Sequence, residues 1–335
     1  MKFLVTGGAG FIGSALVRFL VKETDHQVLN IDKLSYAGNL NSLAEIAEHP
    51  RYSFKKIDLL NKEELENTIM EFRPKRILHL AAETHVDRSL RNPEDFISAN
   101  IIATYNLLES IRKYCSSAGA HEVILLHVST DEVFGSLGPH GKFDEKSRYD
   151  PSSPYSSSKA ASDHLVRAWS RSYGIPAIIS NCSNNYGFFQ HSEKLIPLTI
   201  SRAIARKPIP IYGDGNQIRD WLFVEDHVRA LYALSISGKV GENYTIGGNS
   251  EKTNLEVVNE ICALIGKRYK EKEAFAFSSL ITFVNDRPGH DFRYAIDDSK
   301  IRAELGWRPR ESFKSGLMKT VDWYLQEVYV DREKI

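Results

Sequence analysis

Short runs rich in apolar and β-forming residues punctuate the first 180 positions. They are Lys2 to Thr6, Val28 to Ile31, Tyr52 to Ile57, Arg76 to Leu80 and Val123 to Val128. Their length and flanks predict buried strands rather than helices. Between them the period lengthens. Ser14 to Lys22 is helical, another helix opens near Lys62, and Ile101, Tyr105, Leu108 and Ile111 repeat at helical spacing within Asn100 to Tyr114. Tyr155 to Tyr173 is a second long helix. Strand alternating with helix is the pattern of a doubly wound parallel sheet, fold class α/β.

The alternation breaks after about Ser180. Asn181 to Gly187 is polar and turn-rich, and Glu193 to Pro197 opens another helix. Pro208 to Gly215 reads as strand and turn, and Arg219 to His227 as a strand entering a capped helix. Asn243 to Ile246 and Tyr294 to Ile296 read as short strands, and Asp286 to Asp291 as a charged loop.

Gly7-Gly8-Ala9-Gly10-Phe11-Ile12-Gly13 sits between the first strand and the first helix. Gly8, Gly10 and Gly13 satisfy G-x-G-x-x-G; Gly7, Gly10 and Gly13 satisfy its G-x-x-G-x-x-G variant. Glycines there allow a tight turn and close approach of a pyrophosphate to a helix N-terminus. The second strand ends in Asp32, placed to accept hydrogen bonds from an adenosine ribose and to repel a 2′-phosphate. This favours NAD over NADP, with Lys33 next door counting the other way. The context makes residues 1–180 a Rossmann-type NAD-binding domain, to which segments near 215–245 return. Residues 181–335 form mainly a smaller α+β substrate domain that closes over it.

Composition changes this picture little. The 43 basic and 43 acidic residues cancel, and 42% hydrophobic with 26% charged residues is a soluble globular balance. No nucleic-acid or membrane partner is expected. Cys115, Cys182 and Cys262 have neither zinc nor disulfide spacing, which points to a cytoplasmic protein with no metal. Met1 to Val5 is too short for a signal-peptide core, and no apolar stretch could cross a bilayer.

Candidate chemistry lies at strand ends. Asp58-Leu59 could reach an adenine edge or cap the next helix. Ala81-Ala82 suits close packing against a cofactor, Thr84 could meet a substrate, and Arg88 could hold a phosphate or form a surface ion pair. Ser129-Thr130-Asp131-Glu132-Val133-Phe134-Gly135 follows a buried strand with a hydroxyl and two adjacent carboxylates. In different environments these could serve as one acid and one base; in solvent they would be ordinary charges. Tyr155 and Lys159 are four apart, on one face of a helix. An ammonium there, helped by a cofactor's positive charge, would lower the phenol pKa and make Tyr155 a base. Lys194, Arg219 and Arg287 could converge on an anion such as a diphosphate, or form surface salt bridges. The two long helices could form a four-helix dimer seam with a second copy, or simply cover the sheet.

Together these runs resemble the extended short-chain dehydrogenase/reductases and, within them, the dTDP-glucose 4,6-dehydratase family. The likeness spans Lys2 to about Trp307. The Asp131-Glu132 pair discriminates most, because epimerase and decarboxylase relatives share the tyrosine and lysine but lack it. The resemblance implies a seven-stranded parallel sheet, a homodimer and an NAD-dependent hydro-lyase that makes a 4-keto-6-deoxy sugar nucleotide. It places Gly7, Gly10, Phe11, Ile12, Gly13, Asp32, Lys33, Leu34, Ser35, Asp58, Leu59, Leu80, Ala81, Ala82, Thr84, Tyr155, Lys159 and Asn185 at NAD. It places Thr84, Thr130, Asn184, Lys194, Leu195, Pro210, Tyr212, Arg219, Asn254, Asp286, Arg287 and His290 at the sugar nucleotide. Its reaction would use Tyr155, held as phenolate by Lys159, to take the O4 proton while hydride passes from C4 to NAD. Thr130 would orient O4, Glu132 remove the C5 proton, and Asp131 protonate the departing C6 hydroxyl. The hydride would then return to C6. UDP- or CDP-glucose would undergo the same chemistry, and a UDP-hexose 4-epimerase would keep the C6 oxygen. Two positions depart from the family pattern. Phe188 to Ser192 replaces a run that begins with proline, in a loop expected to border the sugar nucleotide. Ala99 stands where a threonine is common near the cofactor.

Overall fold

The computed structural model describes residues 1–117, 123–268 and 275–332. Its strands are β1 (Lys2–Thr6), β2 (Gln27–Asp32), β3 (Tyr52–Lys56), β4 (Arg76–His79), β5 (Ile124–Thr130), β6 (Ala177–Cys182), β7 (Asn184–Tyr186), β8 (Ile209–Tyr212), β9 (Ile218–Phe223), β10 (Asn243–Ile246), β11 (Glu251–Thr253) and β12 (Ile281–Val284). Its helices are α1 (Phe11–Glu23), α2 (Lys62–Phe72), α3 (Val86–Arg91), α4 (Pro93–Phe96), α5 (Ala103–Ser116), α6 (Pro154–Tyr173), α7 (Leu195–Ile204), α8 (Val224–Ser237), α9 (Asn254–Arg268), α10 (Ser299–Leu305) and α11 (Phe313–Arg332).

Seven strands form one sheet in the order β10-β6-β5-β4-β1-β2-β3, with every pairing parallel. Successive side chains point to opposite faces. Phe3 and Val5 of β1 pack with Leu16 and Leu20 of α1 and Leu231 of α8, whereas Leu4 packs on the other side with Leu107 and Ile111 of α5. Burying both faces explains why the strands read as runs rather than as alternation. The chain order reverses between β1 and β4, so a crevice opens at their carboxyl ends.

A second cluster joins β7, β9 and β11 to β8, β12, α7, α9 and α11. At its centre lie Tyr186, Trp221, Phe223, Ile200, Val257 and Leu317. The chain returns to the large sheet through α8 and β10.

Several expectations are corrected here. Tyr294 to Ile296 is not a strand; Arg293 and Ile296 make isolated bridges to Ile218 and Phe143, and burial of Tyr294 and Ile296 produced the apolar signal. The polar run from Asn181 to Gly187 contains the end of β6 and all of β7. The helix assigned from Asn100 begins as a π-helical turn, Ile97–Ile102. No side chain caps α8: Asp226, in its first turn, instead accepts from the Arg310 and Glu311 N–H groups.

Candidate active site

β5 carries Ser129 and Thr130 to the carboxyl edge of the sheet. Thr130 caps a single 3-10 turn, Asp131–Phe134, its hydroxyl accepting from the Glu132 N–H at 3.2 Å. Gly135 follows at φ +83°, and a Cβ there would lie 2.4 Å from the Asp150 carbonyl, so the turn closes only with glycine.

This turn sets two adjacent carboxyls in different surroundings. Asp131 is 1% exposed. The Thr130 hydroxyl donates to its Oδ1 at 3.3 Å, and its Oδ2 has no partner. Burial, then Glu132 and Asp220, push it well above the usual carboxylate range, which favours its protonated form. Glu132 is also raised by burial, but Arg287, Lys194 and Arg219 oppose that rise. The three cations thus gather near one point, as their expected convergence requires.

α6 supplies the phenol and the amine. Its start is fixed by Pro154 and a capping box: Ser153 Oγ accepts from the Ser156 N–H at 3.1 Å, and Ser156 Oγ from the Ser153 N–H at 3.0 Å. Losing such a cap costs about 1 kcal/mol. Tyr155 is buried edge-on to Phe96, with its hydroxyl at the Thr130 hydroxyl. Lys159 is buried and donates to the Val128 carbonyl at 2.9 Å. Burial, then Glu132, push the Tyr155 phenol well above its ordinary value. The lowered pKa expected from the Tyr155–Lys159 spacing is therefore not produced by the chain's own groups. The expectation also called on a cofactor's positive charge, which would act in the lowering direction.

Sequence reasoning missed the support behind this wall. Asp163, one turn beyond Lys159 on the same helix face, is fully buried. It accepts from Ser129 Oγ and Tyr149 OH, each at 2.8 Å, and lies 3.1 Å from His127 Nε2. Despite burial, His127, Lys159 and Tyr149 hold it below the ordinary carboxylate range. The spacing of four from Lys159 was the available signal. His227 was missed too: its Nδ1 lies 2.9 Å from Asn185 Oδ1.

Beside these groups opens a cleft of about 280 Å³. Every residue expected at the cofactor lines it except Leu34. Leu34 adopts φ 57° and gives its backbone N–H to Asp32 Oδ1 at 2.8 Å. Asp32 Oδ2 accepts from the Ala9 N–H at 3.0 Å, which ties the glycine loop to β2. Dinucleotide fit is tested by the glycines. A Cβ on Gly7 would lie 2.6 Å from the Ala81 nitrogen, and one on Gly13 2.1 Å from the Gly7 carbonyl. With no capping side chain and no acid in its first turn, α1 turns its N-terminus to the cleft, suited to a diphosphate. The residues present fit the group. Among the described residues no cluster of His, Cys, Asp and Glu could hold a metal ion.

A model of the GDP-mannose 4,6 dehydratase family matches residues 4–320. The chain is 57% identical over 330 residues to dTDP-glucose 4,6-dehydratase of Neisseria meningitidis, covering 97% of this chain and 93% of the relative. Identity to the Haemophilus influenzae dTDP-glucose 4,6-dehydratase is 54%, over 97% and 98%. Among solved structures, dTDP-glucose 4,6-dehydratase of Streptomyces venezuelae, with NAD and dTDP bound, superposes at a TM-score of 0.91, with 40% identity over 98% of each chain. The chain belongs to the sugar-nucleotide 4,6-dehydratase family.

The remaining family positions fall into two groups. Arg287 Nη1 lies 3.5 Å from Asp87, which also accepts from Tyr212 OH at 3.1 Å. His290 Nδ1 lies 2.6 Å from Asp286, whose other oxygen accepts from Gln217 at 3.1 Å. Arg219 stacks 4.4 Å from the Tyr294 ring and donates to the Asp291 carbonyl. Lys194 donates to the Thr84 carbonyl at 2.9 Å. Lys194, Thr84, Thr130 and Asn184 line the cleft; Leu195, Pro210, Tyr212, Arg219, Asn254, Asp286, Arg287 and His290 stand outside its lining. Leu195 opens α7, Pro210 lies in β8, and Asn254 opens α9.

The stretch that departs from the family pattern, Phe188 to Ser192, divides at the cleft. Phe188 and Phe189 turn away from the cleft and pack on Trp323 of α11, and Phe189 carries the Arg18 guanidinium 4.8 Å from its ring. Only Gln190 and His191 of this stretch line the cleft. Ala99 lines it as well, at the place expected for a cofactor neighbour.

Proposed function

We propose that the chain converts dTDP-glucose to dTDP-4-keto-6-deoxyglucose and water, with NAD as its resident cofactor. The observation that carries this reading is the Asp131–Glu132 pair, one carboxyl pushed toward its neutral form and one faced by three cations, beside Tyr155 and Thr130. An epimerase has no use for such a pair.

Bound NAD would accept the C4 hydrogen and later return it to C6, and its nicotinamide charge would add to that of Lys159. Tyr155 takes the O4 proton, and Thr130, hydrogen-bonded to it, orients O4. A ketone at C4 makes the C5 proton acidic, and Glu132 removes it. Asp131 gives a proton from its buried carboxyl to the C6 hydroxyl as that leaves, and Glu132 returns its proton to C5 when the hydrogen is delivered to C6. Each such group contributes roughly 100- to 10,000-fold in rate. Lys194, Arg219 and Arg287 bind the diphosphate.

The active form is a homodimer in the cytoplasm. Ile97, Ile102 and Tyr105 leave an exposed apolar stripe just before and at the start of α5, and Tyr173 extends it at the end of α6. A second copy would cover it as a four-helix seam. No helix among the described residues is long and apolar enough to cross a membrane. Residues 1–180 with α8 and β10 form the NAD-binding domain, and most of 181–335 the sugar-nucleotide domain.

Mass spectrometry of the product tests the reading, with dTDP-glucose and then UDP-glucose supplied and no cofactor added. Loss of one water from dTDP-glucose alone supports it. Turnover of UDP-glucose instead moves the substrate, and unchanged mass with added NAD rejects the dehydratase.

A further inference from the structure

Three loops that leave the sheet at different strands meet over the cofactor cleft. The loop after β2 brings Tyr36, flanked by the lining residues Ser35 and Ala37. The segment after β4 brings His85 and Arg88, next to lining Thr84. The loop after β7 brings His191 and Glu193, next to lining Gln190 and Lys194. Their side chains form one knot. Arg88 donates through two nitrogens to Glu193, Nε at 3.1 Å. His85 Nε2 lies 3.1 Å from the same carboxylate, and His191 Nδ1 lies 3.8 Å from it. The Arg88 guanidinium lies 3.6 Å from the Tyr36 ring centre, and the His191 ring meets Tyr36 edge-on at 5.4 Å.

None of these contacts is needed to build the sheet. Tyr36, Arg88 and Glu193 are separated by about 50 and 100 positions, and they connect the two sides of the cleft rim. A fork of two parallel N–H···O bonds fixes both distance and direction, and stacking on Tyr36 holds the guanidinium plane. A dinucleotide lying along the glycine loop would have this knot across its exit. The proposed reaction regenerates NAD each cycle, so retention helps it and exchange does not.

We propose that Arg88, Glu193 and Tyr36 are a latch that closes the NAD cleft and sets how slowly the cofactor leaves. The inference rests on the dehydratase reading for its purpose, but its test does not depend on turnover. Arg88 and Tyr36 do not line the cleft, so the latch acts on release rather than on the chemistry.

The test uses the full-length enzyme loaded with NAD and passed through a desalting column. Bound NAD is then followed over time by absorbance and enzymatic assay. Arg88→Ala and Glu193→Gln should each release NAD about tenfold faster than the native enzyme, the scale of a bidentate exposed pair with a cation–π contact. The double variant should release no faster than either single one. Added salt should speed release from the native enzyme and not from the variants. Melting temperature monitors folding, and excess NAD should restore turnover to the variants. Equal release rates in folded variants, or additive effects in the double variant, overturn the latch. Absence of NAD from the native enzyme, together with no turnover of dTDP-glucose when NAD is added, overturns the dehydratase reading instead.

Discussion

Asp131 and Glu132 are consecutive and burial raises both, yet the fold surrounds them with different charges. The leading influences on Asp131 are burial, Glu132 and Asp220, and all three hold the proton on. Burial also raises Glu132, but its next three influences are Arg287, Lys194 and Arg219, which favour the charged form. The cations come from the residue before α7, from β9 and from the loop before α10, so this difference in surroundings arises only when the second cluster sits against the strand end. Glu132 in its charged form also raises Asp131.

Asp131→Asn removes the proposed proton donor and keeps the shape. We expect C4 oxidation to persist and loss of water to slow by roughly 100- to 10,000-fold. Single-turnover absorbance at 340 nm should then show NADH forming and failing to disappear. A variant that never forms NADH would contradict this assignment.

Glu132→Gln separates two effects. Elimination should stall, because the proposed C5 base is gone. Oxidation should shift the other way in pH. Glu132 is, after burial, the largest influence raising the Tyr155 phenol. Removing its charge lowers that pKa, so the rising limb of the oxidation profile moves to lower pH. An unchanged or upward-shifted limb would show that the phenol does not feel Glu132.

The chain's hydrophobic pattern located six of the large sheet's seven strands, because most of them are buried on both faces, a condition that leaves a local trace; β6 (Ala177–Cys182) is fully buried too but was not read, since its Ser180-Asn181-Cys182 end is polar. Lys2–Thr6 and Asn243–Ile246 match to the residue. β7, β11 and β12 left little trace: Asn184–Tyr186 and Glu251–Thr253 are three residues each, and Ile281–Val284 is half exposed. The Gly7–Gly13 loop, Asp131–Glu132 and Tyr155/Lys159 were legible because each motif is contiguous or four apart. The Arg88–Glu193 pair, 105 positions apart, and the His127–Asp163 pair behind the site were not, because only tertiary folding brings them together. The Tyr155 expectation is only half visible in the chain, because it also called on a cofactor's positive charge. Spacing puts the amine on the right face, but Lys159 spends a proton on the Val128 carbonyl, and burial wins at the phenol.

The glycine loop should tolerate no side chain at Gly13. A Cβ there would lie 2.1 Å from the Gly7 carbonyl, which belongs to backbone and cannot swing away. Gly13→Ala should push the loop into the cleft. We expect NAD to be lost at purification and the melting temperature to fall, both measurable on one preparation.

His227 makes a pH prediction with a definite sign. It is fully buried, and burial lowers its pKa to about 3 from 6.5. The unfolded chain therefore binds a proton below pH 6.5 that the native state refuses. This group's contribution is level above 6.5, and stability is lost as pH falls from 6.5 toward 3. The loss is about 1.4 kcal/mol per pH unit. Urea unfolding of native enzyme and His227→Gln at pH 7, 6 and 5 isolates that slope from the other buried groups. The gap between the two should narrow, or reverse, by about that amount per unit as pH drops. A constant gap would mean that His227 is protonated in the folded state.

The exposed stripe of Ile97, Ile102 and Tyr105 predicts the assembly. These side chains are 46%, 44% and 38% exposed in the single chain, on a helix whose opposite face is fully packed. Ile102→Glu places a charge where two copies would meet, and burying it unpaired costs several kcal/mol per subunit. It changes nothing in the isolated fold, where the residue already faces solvent. Light scattering should therefore report a dimer for the native chain and a monomer with an unchanged melting profile at low concentration for the variant. A monomeric native chain would remove the seam. An unaltered dimer in Ile102→Glu would move it to another face.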